Sequence, residues 1–355
     1  MLELDPEEFV RDIREWAETH GGMVNLNFAI RSGTTETSRH LRASISDQTE
    51  NGGEQSSQKQ QHLPVVFAHG MGDSCFNRGM QNIVQHTSQL LDNVYTVCIP
   101  TGDNQSDDTR NGYFLNMDAS VDVFAAKIRA DPQLQQGFHA IGFSQGNNVI
   151  RGYIAKYNAP AVHTFLSVNG VNAGIGAVPY CRPELLSSYH TVVGDVSSVT
   201  FSMCDLLMEQ ASRSAYTEFA QKHSFQANYW RDPRPVAAER YQQYCQLAVW
   251  NNEAGGPINE TLRENWTKTQ QFVWVLATED GMVWPKEGEQ WGAPDPNNPF
   301  QVILPRNATE WYQKDLFGLK TAELAGKNFY EAFVGDHLQF TQEDFEGWVH
   351  KYLLA

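Results

Sequence analysis

Phe138-His139-Ala140-Ile141-Gly142-Phe143-Ser144-Gln145-Gly146 is a short apolar run that ends in a serine flanked by glycines. Behind it, Val149, Ile150, Tyr153, Ile154 and Tyr157 recur at helical spacing. The pattern predicts a strand, a sharp turn and a helix, with Ser144 at the apex of the turn. A serine presented there sits in a strained backbone conformation. Its neighbours on both sides must lack a Cβ if strand and helix are to approach, and Gly142 and Gly146 meet that need. Glycine is common enough for such a string to arise by chance, so the surrounding sequence has to decide.

Upstream, Leu63-Pro64-Val65-Val66-Phe67-Ala68 reads as a buried parallel strand that runs into His69-Gly70-Met71-Gly72-Asp73. An ordinary glycine turn is the bland account of that segment. With a nucleophilic serine downstream, it is also where one backbone donor of an oxyanion hole belongs. Met71 is assigned that donor and Gln145, the residue after the serine, the second. Farther on, Phe272-Val273-Trp274-Val275-Leu276-Ala277 predicts another buried strand, and Asp280 falls just past its end. Glu279, Asp336 and Asp295 remain possible stand-ins for that acid. Phe329 to Val334 forms a last apolar run before Gly335-Asp336-His337. Thr341 and Asp344 then cap a terminal helix with Phe345, Trp348, Val349 and Leu353 on one face. Any one of 11 histidines is a weak candidate base, but His337 occupies the loop after the last strand. Serine, acid and histidine in the order Ser144, Asp280, His337 is the α/β-hydrolase arrangement. The expected fold is therefore α/β, with a mostly parallel sheet, helices on both faces and a helical insertion over the active site.

From Leu63 onward the chain resembles the palmitoyl-protein thioesterase family, lysosomal α/β-hydrolases that remove fatty acyl groups from cysteine. The resemblance rests on His69-Gly70-Met71-Gly72-Asp73-Ser74-Cys75, and on Leu134-Gln135-Gln136-Gly137 leading into the serine turn. It extends to Ser167-Val168-Asn169-Gly170, with Gly174 and Gly176 before Pro179 and Cys181, and to Ala227-Asn228-Tyr229-Trp230-Arg231-Asp232-Pro233. Ile258-Asn259-Glu260 and Gly335-Asp336-His337-Leu338-Gln339 complete it. Carried over by position, the family's catalytic residues fall on Ser144, Asp280 and His337, the same three that the pattern selects. The resemblance implies acyl transfer through a serine-bound intermediate, on S-acylated proteins or peptides carrying long-chain fatty acyl groups. It calls for no metal and no cofactor. It also makes Cys181 and Cys204 candidates for a bridge that staples the insertion.

The segment from about 172 to 267 is too long for one strand–helix connection and reads as that insertion. Met203, Leu206, Leu207, Met208, Phe219, Tyr229 and Trp230 supply its apolar surface. Forming the insertion's own core is the more ordinary role for each, ahead of direct lipid contact. The 355 residues suffice for one large domain, 63–355, and no apolar run is long enough to span a membrane. A formal net charge of −16 argues against nucleic acid or an anionic membrane as a steady partner. Of the five cysteines, Cys98 lies in the apolar run around Val97 and reads as a small buried residue, while Cys75 and Cys245 have no assignment.

Residues 1–62 stand outside the resemblance. Asp5-Pro6-Glu7-Glu8 starts a helix whose face is Phe9, Ile13 and Trp16, and from about Ser32 to His62 a polar, low-complexity stretch reads as a disordered linker or an inserted loop. The first twenty residues are acidic and amphipathic, unlike a secretory leader. Against that, Asn104, Asn259, Asn265 and Asn307 each begin a glycosylation triplet. A lysosomal or secreted enzyme is the expectation, with the cytosol as the alternative. The competing activities are a cytosolic acyl-protein thioesterase, a lipase or carboxylesterase acting on O-esters, and, remotely, a non-catalytic hydrolase-like lipid-binding protein. An intact Ser144, Asp280 and His337 weighs against the last.

Overall fold

Residues 62–179, 181 and 207–354 are described by a computed structural model. The expected N-terminal helix and the polar stretch behind it lie outside these residues, as do Met203, Cys204 and Leu206. The chain runs β1 (Val65–Ala68), α1 (Arg78–Leu90), β2 (Thr96–Cys98), α2 (Gln105–Phe114), α3 (Met117–Ala130), β3 (Phe138–Phe143), α4 (Gly146–Lys156) and β4 (Val162–Val168). A helical stretch over 207–215 follows. Short helices come next: α5 (Glu218–His223), α6 (Phe225–Asn228), α7 (Ala238–Tyr244), α8 (Gln246–Trp250) and α9 (Glu260–Lys268). The chain then re-enters the sheet as β5 (Gln271–Ala277), makes the small hairpin β6 (Ala293–Pro294) and β7 (Ile303–Leu304), and passes α10 (Glu310–Gln313) and α11 (Leu319–Leu324). It ends with β8 (Asn328–Phe333) and α12 (Gln342–Leu353).

Six strands make one sheet in the order β2-β1-β3-β4-β5-β8, and every adjacent pair is parallel. Parallel strands need cover on both faces, which is why β1 is apolar throughout, β3 is apolar except for His139, and both are wholly buried. Alternation along the strands feeds two cores. Val66, Ala140, Phe165 and Trp274 face the core built with α3, α4 and α9. Phe67, Ile141, Leu166 and Val275 face the one closed by α1 and α12. The terminal helix forms where its pattern places it. Thr341 and Asp344 make a reciprocal capping box, and Phe345, Trp348, Val349 and Leu353 are buried. This is the α/β-hydrolase architecture, with Ser144 at the carboxyl end of a central strand. Among the described residues no helix is long and apolar enough to cross a membrane.

The structure corrects the account of Cys98, which is not a lone buried residue. It is bonded to Cys75, with the two Cα atoms 5.4 Å apart. The parallel register that pairs Phe67 with Cys98 brings the end of β2 beside the loop leaving β1, and so brings the two sulfurs together. Cys245 is buried and free, and burial pushes its thiol up to about 12, leaving it unreactive. The proposed partner of Cys181, Cys204, lies outside the described residues. Asn104, Asn259 and Asn307 are exposed. Asn265 is not: it is buried in α9 and its Nδ2 donates to the Ala155 carbonyl, so folding removes it as a glycosylation acceptor.

The Cys75–Cys98 bridge closes a loop with a sequence separation of 23 residues. Chain-entropy reasoning then predicts that Cys98→Ser lowers unfolding stability by about 3 kcal/mol. Denaturant unfolding of the variant beside the parent measures this, and equal midpoints would refute it.

Candidate functional site

Ser144 has φ +51°, the left-handed region that a non-glycine residue enters only under constraint. The constraint comes from hydrogen bonds on both sides of the turn. The Ser144 N–H donates to Val168 O at 3.0 Å, and Asn147 Nδ2 donates to the Ser144 and Val168 carbonyls at 3.0 and 2.9 Å. The flanking glycines are required for space. A Cβ on Gly142 would lie 2.3 Å from Asn147 Oδ1, and one on Gly146 would lie 2.3 Å from Ala68 O and 2.5 Å from His69 O. Backbone at that range cannot move aside.

The structure brings the three expected side chains together. His337 Nε2 lies 2.9 Å from Ser144 Oγ, and His337 Nδ1 lies 2.6 Å from Asp280 Oδ2. A carboxylate at Nδ1 fixes the proton on that nitrogen and leaves Nε2 to accept from the serine hydroxyl. Asp280 Oδ1 accepts from the Met282 and Val283 N–H groups at 2.8 and 2.7 Å, so the acid is itself held rigid. Burial alone would raise the Asp280 pKa. The hydrogen bond to His337 and its charge outweigh burial and lower it, keeping the acid ionised. The stand-ins fall away. Glu279 is exposed, and Asp295 accepts from its own turn at Asn297. Asp336 accepts from the Gly281 and His337 N–H groups at 2.7 Å, orienting the loop rather than the ring.

The loop after β1 lies against this chain. A Cβ on Gly70 would sit 3.3 Å from Ser144 Cβ, and Gly72 has φ +76°. The N–H of Gln145 stands at the N-cap of α4, outside the helix's own ladder. Among the described residues neither it nor the Met71 N–H is engaged in a backbone hydrogen bond. Sequence reasoning did not find what fixes this loop. His69 Nε2 lies 3.2 Å from Asp108 Oδ2, while His69 Nδ1 bonds the Gly70 carbonyl at 2.9 Å. Asp108 is fully buried and also accepts from Ser74 Oγ and the N–H groups of Cys75, Thr101 and Gly102. Burial opposes charge on both partners. The hydrogen bond and opposite charge win, raising the His69 pKa and holding Asp108 far below the usual carboxylate range. Asp108 looks like one acid among several in the polar start of α2, and nothing in the sequence signals its burial.

The insertion meets the serine turn through polar contacts. Gln145 Oε1 accepts from Gln226 Nε2 at 2.7 Å and Tyr229 Oη at 3.2 Å, and Gln145 Nε2 donates to Gly112 O at 2.7 Å. Met208, Tyr229 and Trp230 are buried, whereas Leu207 and Phe219 are exposed. Among the described residues, two groups bring potential metal ligands within 4.8 Å: His69, Cys75 and Asp108, and Asp280, Glu289 and His337. Neither offers a full set of ligand atoms to an ion. Cys75 is in the disulfide, and both ring nitrogens of His337 are hydrogen-bonded.

The model of the family described as palmitoyl protein thioesterase matches residues 64–337. Palmitoyl-protein thioesterase 1 of Caenorhabditis elegans is 32% identical over 278 residues, covering 78% of this chain and 87% of that protein. Palmitoyl-protein thioesterase 3 of Dictyostelium discoideum is 26% identical over 283 residues, covering 79% and 87%. Among solved structures, a lipase-esterase related protein from Clostridium acetobutylicum is 12% identical, with a TM-score of 0.40, covering 83% of this chain and 96% of that one. That likeness is too distant to add to the sheet order described above.

Because Asp108 is surrounded by donors, Asp108→Asn places an amide N–H against them and leaves His69 without its counter-charge. The expected result is a loss on the order of 3–5 kcal/mol in stability, together with loss of activity. Thermal unfolding and turnover of the purified variant check this. Parental values for both would show that the pair does not hold the loop.

Proposed function

This chain belongs to the palmitoyl protein thioesterase family of thioester hydrolases, and from that premise we propose that it removes long-chain fatty acyl groups, palmitoyl among them, from S-acylated cysteines of proteins or peptides. The observation that carries the mechanism is the continuous hydrogen-bonded chain from Ser144 through His337 to Asp280, at 2.9 and 2.6 Å.

In this reading His337 Nε2 takes the Ser144 proton as Oγ attacks the thioester carbonyl. The N–H groups of Met71 and Gln145 receive the oxyanion, and Asp280 stabilises the imidazolium. Collapse breaks the C–S bond, and the cysteine sulfur leaves with the proton that His337 had held. Water then attacks the acyl-enzyme with His337 again as base, releasing the fatty acid and free Ser144. Residues 63–355 form the catalytic domain, and the insertion at about 172–267 supplies the acyl-binding groove against the main sheet. The Gln226 and Tyr229 bonds to Gln145 tie that insertion to the nucleophile turn and support this placement.

An oxidising compartment, lysosomal or secretory, fits the Cys75–Cys98 disulfide and the exposed acceptors Asn104, Asn259 and Asn307.

Ser144→Ala and His337→Ala should each lower kcat on a palmitoyl-cysteine thioester by roughly 10⁶-fold, and the double variant hardly further, because the residues act as a unit. Losses that multiply would remove His337 from the role of base. The parent assayed on a matched palmitoyl O-ester should turn it over more slowly than the thioester. Preference for the O-ester would instead make the protein a lipase or esterase.

A further inference from the structure

Glu289 is a fully buried carboxyl group in the 3-10 turn Lys286–Gln290, and the mechanism above does not use it. A carboxyl oxygen of Glu289 lies within 4.8 Å of a carboxylate oxygen of Asp280 and of a ring nitrogen of His337. Its two oxygens are treated differently. Oε2 accepts from Asn169 Nδ2 and from the Ala277 N–H, each at 2.9 Å. Oε1 is buried and receives no donor. Asn169, held at φ +47°, turns its other side-chain atom to the residue after His337: the Leu338 N–H donates to Asn169 Oδ1 at 3.0 Å.

Two carboxylates in contact at a dry site cannot both stay ionised, so one keeps a proton. Asp280 has three donors directed at it, from Met282, Val283 and His337. Glu289 has two, both on one oxygen; among the described residues, the titratable groups beside it are Asp280 and His337. The proton therefore belongs on Glu289 Oε1, where it gives the orphan oxygen a bond to make and leaves Asp280 as the anion. Burial, followed by the charge of Asp280, raises the Glu289 pKa well above that of an ordinary glutamate, in agreement with the geometry.

We propose that Glu289 is a protonated positioning residue, whose carboxyl O–H donates to the Asp280 carboxylate and whose other oxygen ties that acid, through Asn169, to the backbone carrying His337. The proposal rests on the roles given to Ser144, His337 and Asp280. A donated hydrogen bond weakens the basicity of Asp280, so the proton it shares with His337 Nδ1 stays on the ring. The frame also fixes the acid and the base relative to each other from two directions.

Gln matches a protonated glutamate in shape and donors, so the test compares Glu289→Gln with Glu289→Ala. Glu289→Gln should keep kcat and KM close to the parent, whereas Glu289→Ala should lose about 10–100-fold in kcat with KM little changed. A second readout covers the case in which Glu289→Ala does not fold. A group with a raised folded pKa contributes fully below its unfolded value, about 4.5, and loses that contribution as pH rises towards the folded value. The amide carries no such dependence, so the melting temperature of Glu289→Gln should gain on the parent as pH rises from about 4.5 towards the raised folded value. A Glu289→Gln variant whose kcat is lost, or a melting difference that stays flat with pH, overturns the proposal. Ser144→Ala reports on the nucleophile alone, so failure of the underlying mechanism is distinguishable from failure here.

Discussion

The first turn of α4 packs so tightly on the chain leaving β1 that a Cβ on Gly146 would lie 2.3 Å from the Ala68 carbonyl oxygen and 2.5 Å from that of His69. This contact sets the first turn of α4 against the end of β1. The loop that follows β1 is thereby placed beside Ser144, where a Cβ on Gly70 would lie only 3.3 Å from Ser144 Cβ. The turn that makes this possible holds Ser144 at φ +51°, a conformation that costs on the order of 1–3 kcal/mol. Hydrogen bonds from Asn147 and to Val168 hold it there, so the strain is confined between β3 and the buried end of β4. A nucleophile on a mobile loop would lose that geometry; here the sheet itself enforces it.

What was legible in the sequence is what depends on local chemistry. The glycines around Ser144 answer a steric demand a few residues wide, and buried parallel strands announce themselves as continuous apolar runs. Asp280 could be preferred over its neighbours because it follows a strand end, although only the structure shows Asp336 serving the loop backbone instead. The hidden features all depend on register. Cys75 meets Cys98 because β1 and β2 pair in parallel at one offset, a fact no spacing encodes. Asp108 and Glu289 sit in segments that read as solvated and acquire their roles only when distant backbone closes over them. Asn265 shows the converse: a correct three-residue motif is void because the helix turns it inward.

The insertion illustrates how a sequence can give the right residues for an incomplete reason. Tyr229 and Trp230 are apolar bulk in the sequence, and both are buried as expected of a core. Tyr229 nevertheless ends in a hydroxyl that reaches Gln145 Oε1, and Gln226 beside it reaches the same atom. The Gln145 side chain is thus clamped between the insertion and the Gly112 carbonyl of α2. Packing and positioning are carried by the same residue, so a change made to alter acyl preference at this seam also bears on the geometry of the reaction.

Charge at the site is arranged so that each buried ion has a local answer, and the answers share a pH range. Asp108 and Asp280 have lowered pKa values, so their contributions to stability are present above the unfolded carboxylate range near 4 and are lost only as pH falls through the lower folded values. His69 is raised, so its contribution is complete below about 6.5 and is lost as pH rises through its folded value. The overlap of these conditions lies on the acidic side of neutrality. Glu289, neutral beside Asp280, also contributes most at the acidic end. Once pH rises past the raised folded values of His69 and Glu289, the charge that ties the loop after β1 to α2 is lost and a second charge is set against Asp280. The same scaffold that orients Ser144 is therefore electrostatically best satisfied in mild acid, which agrees with the lysosomal arm of the compartment proposed for this enzyme.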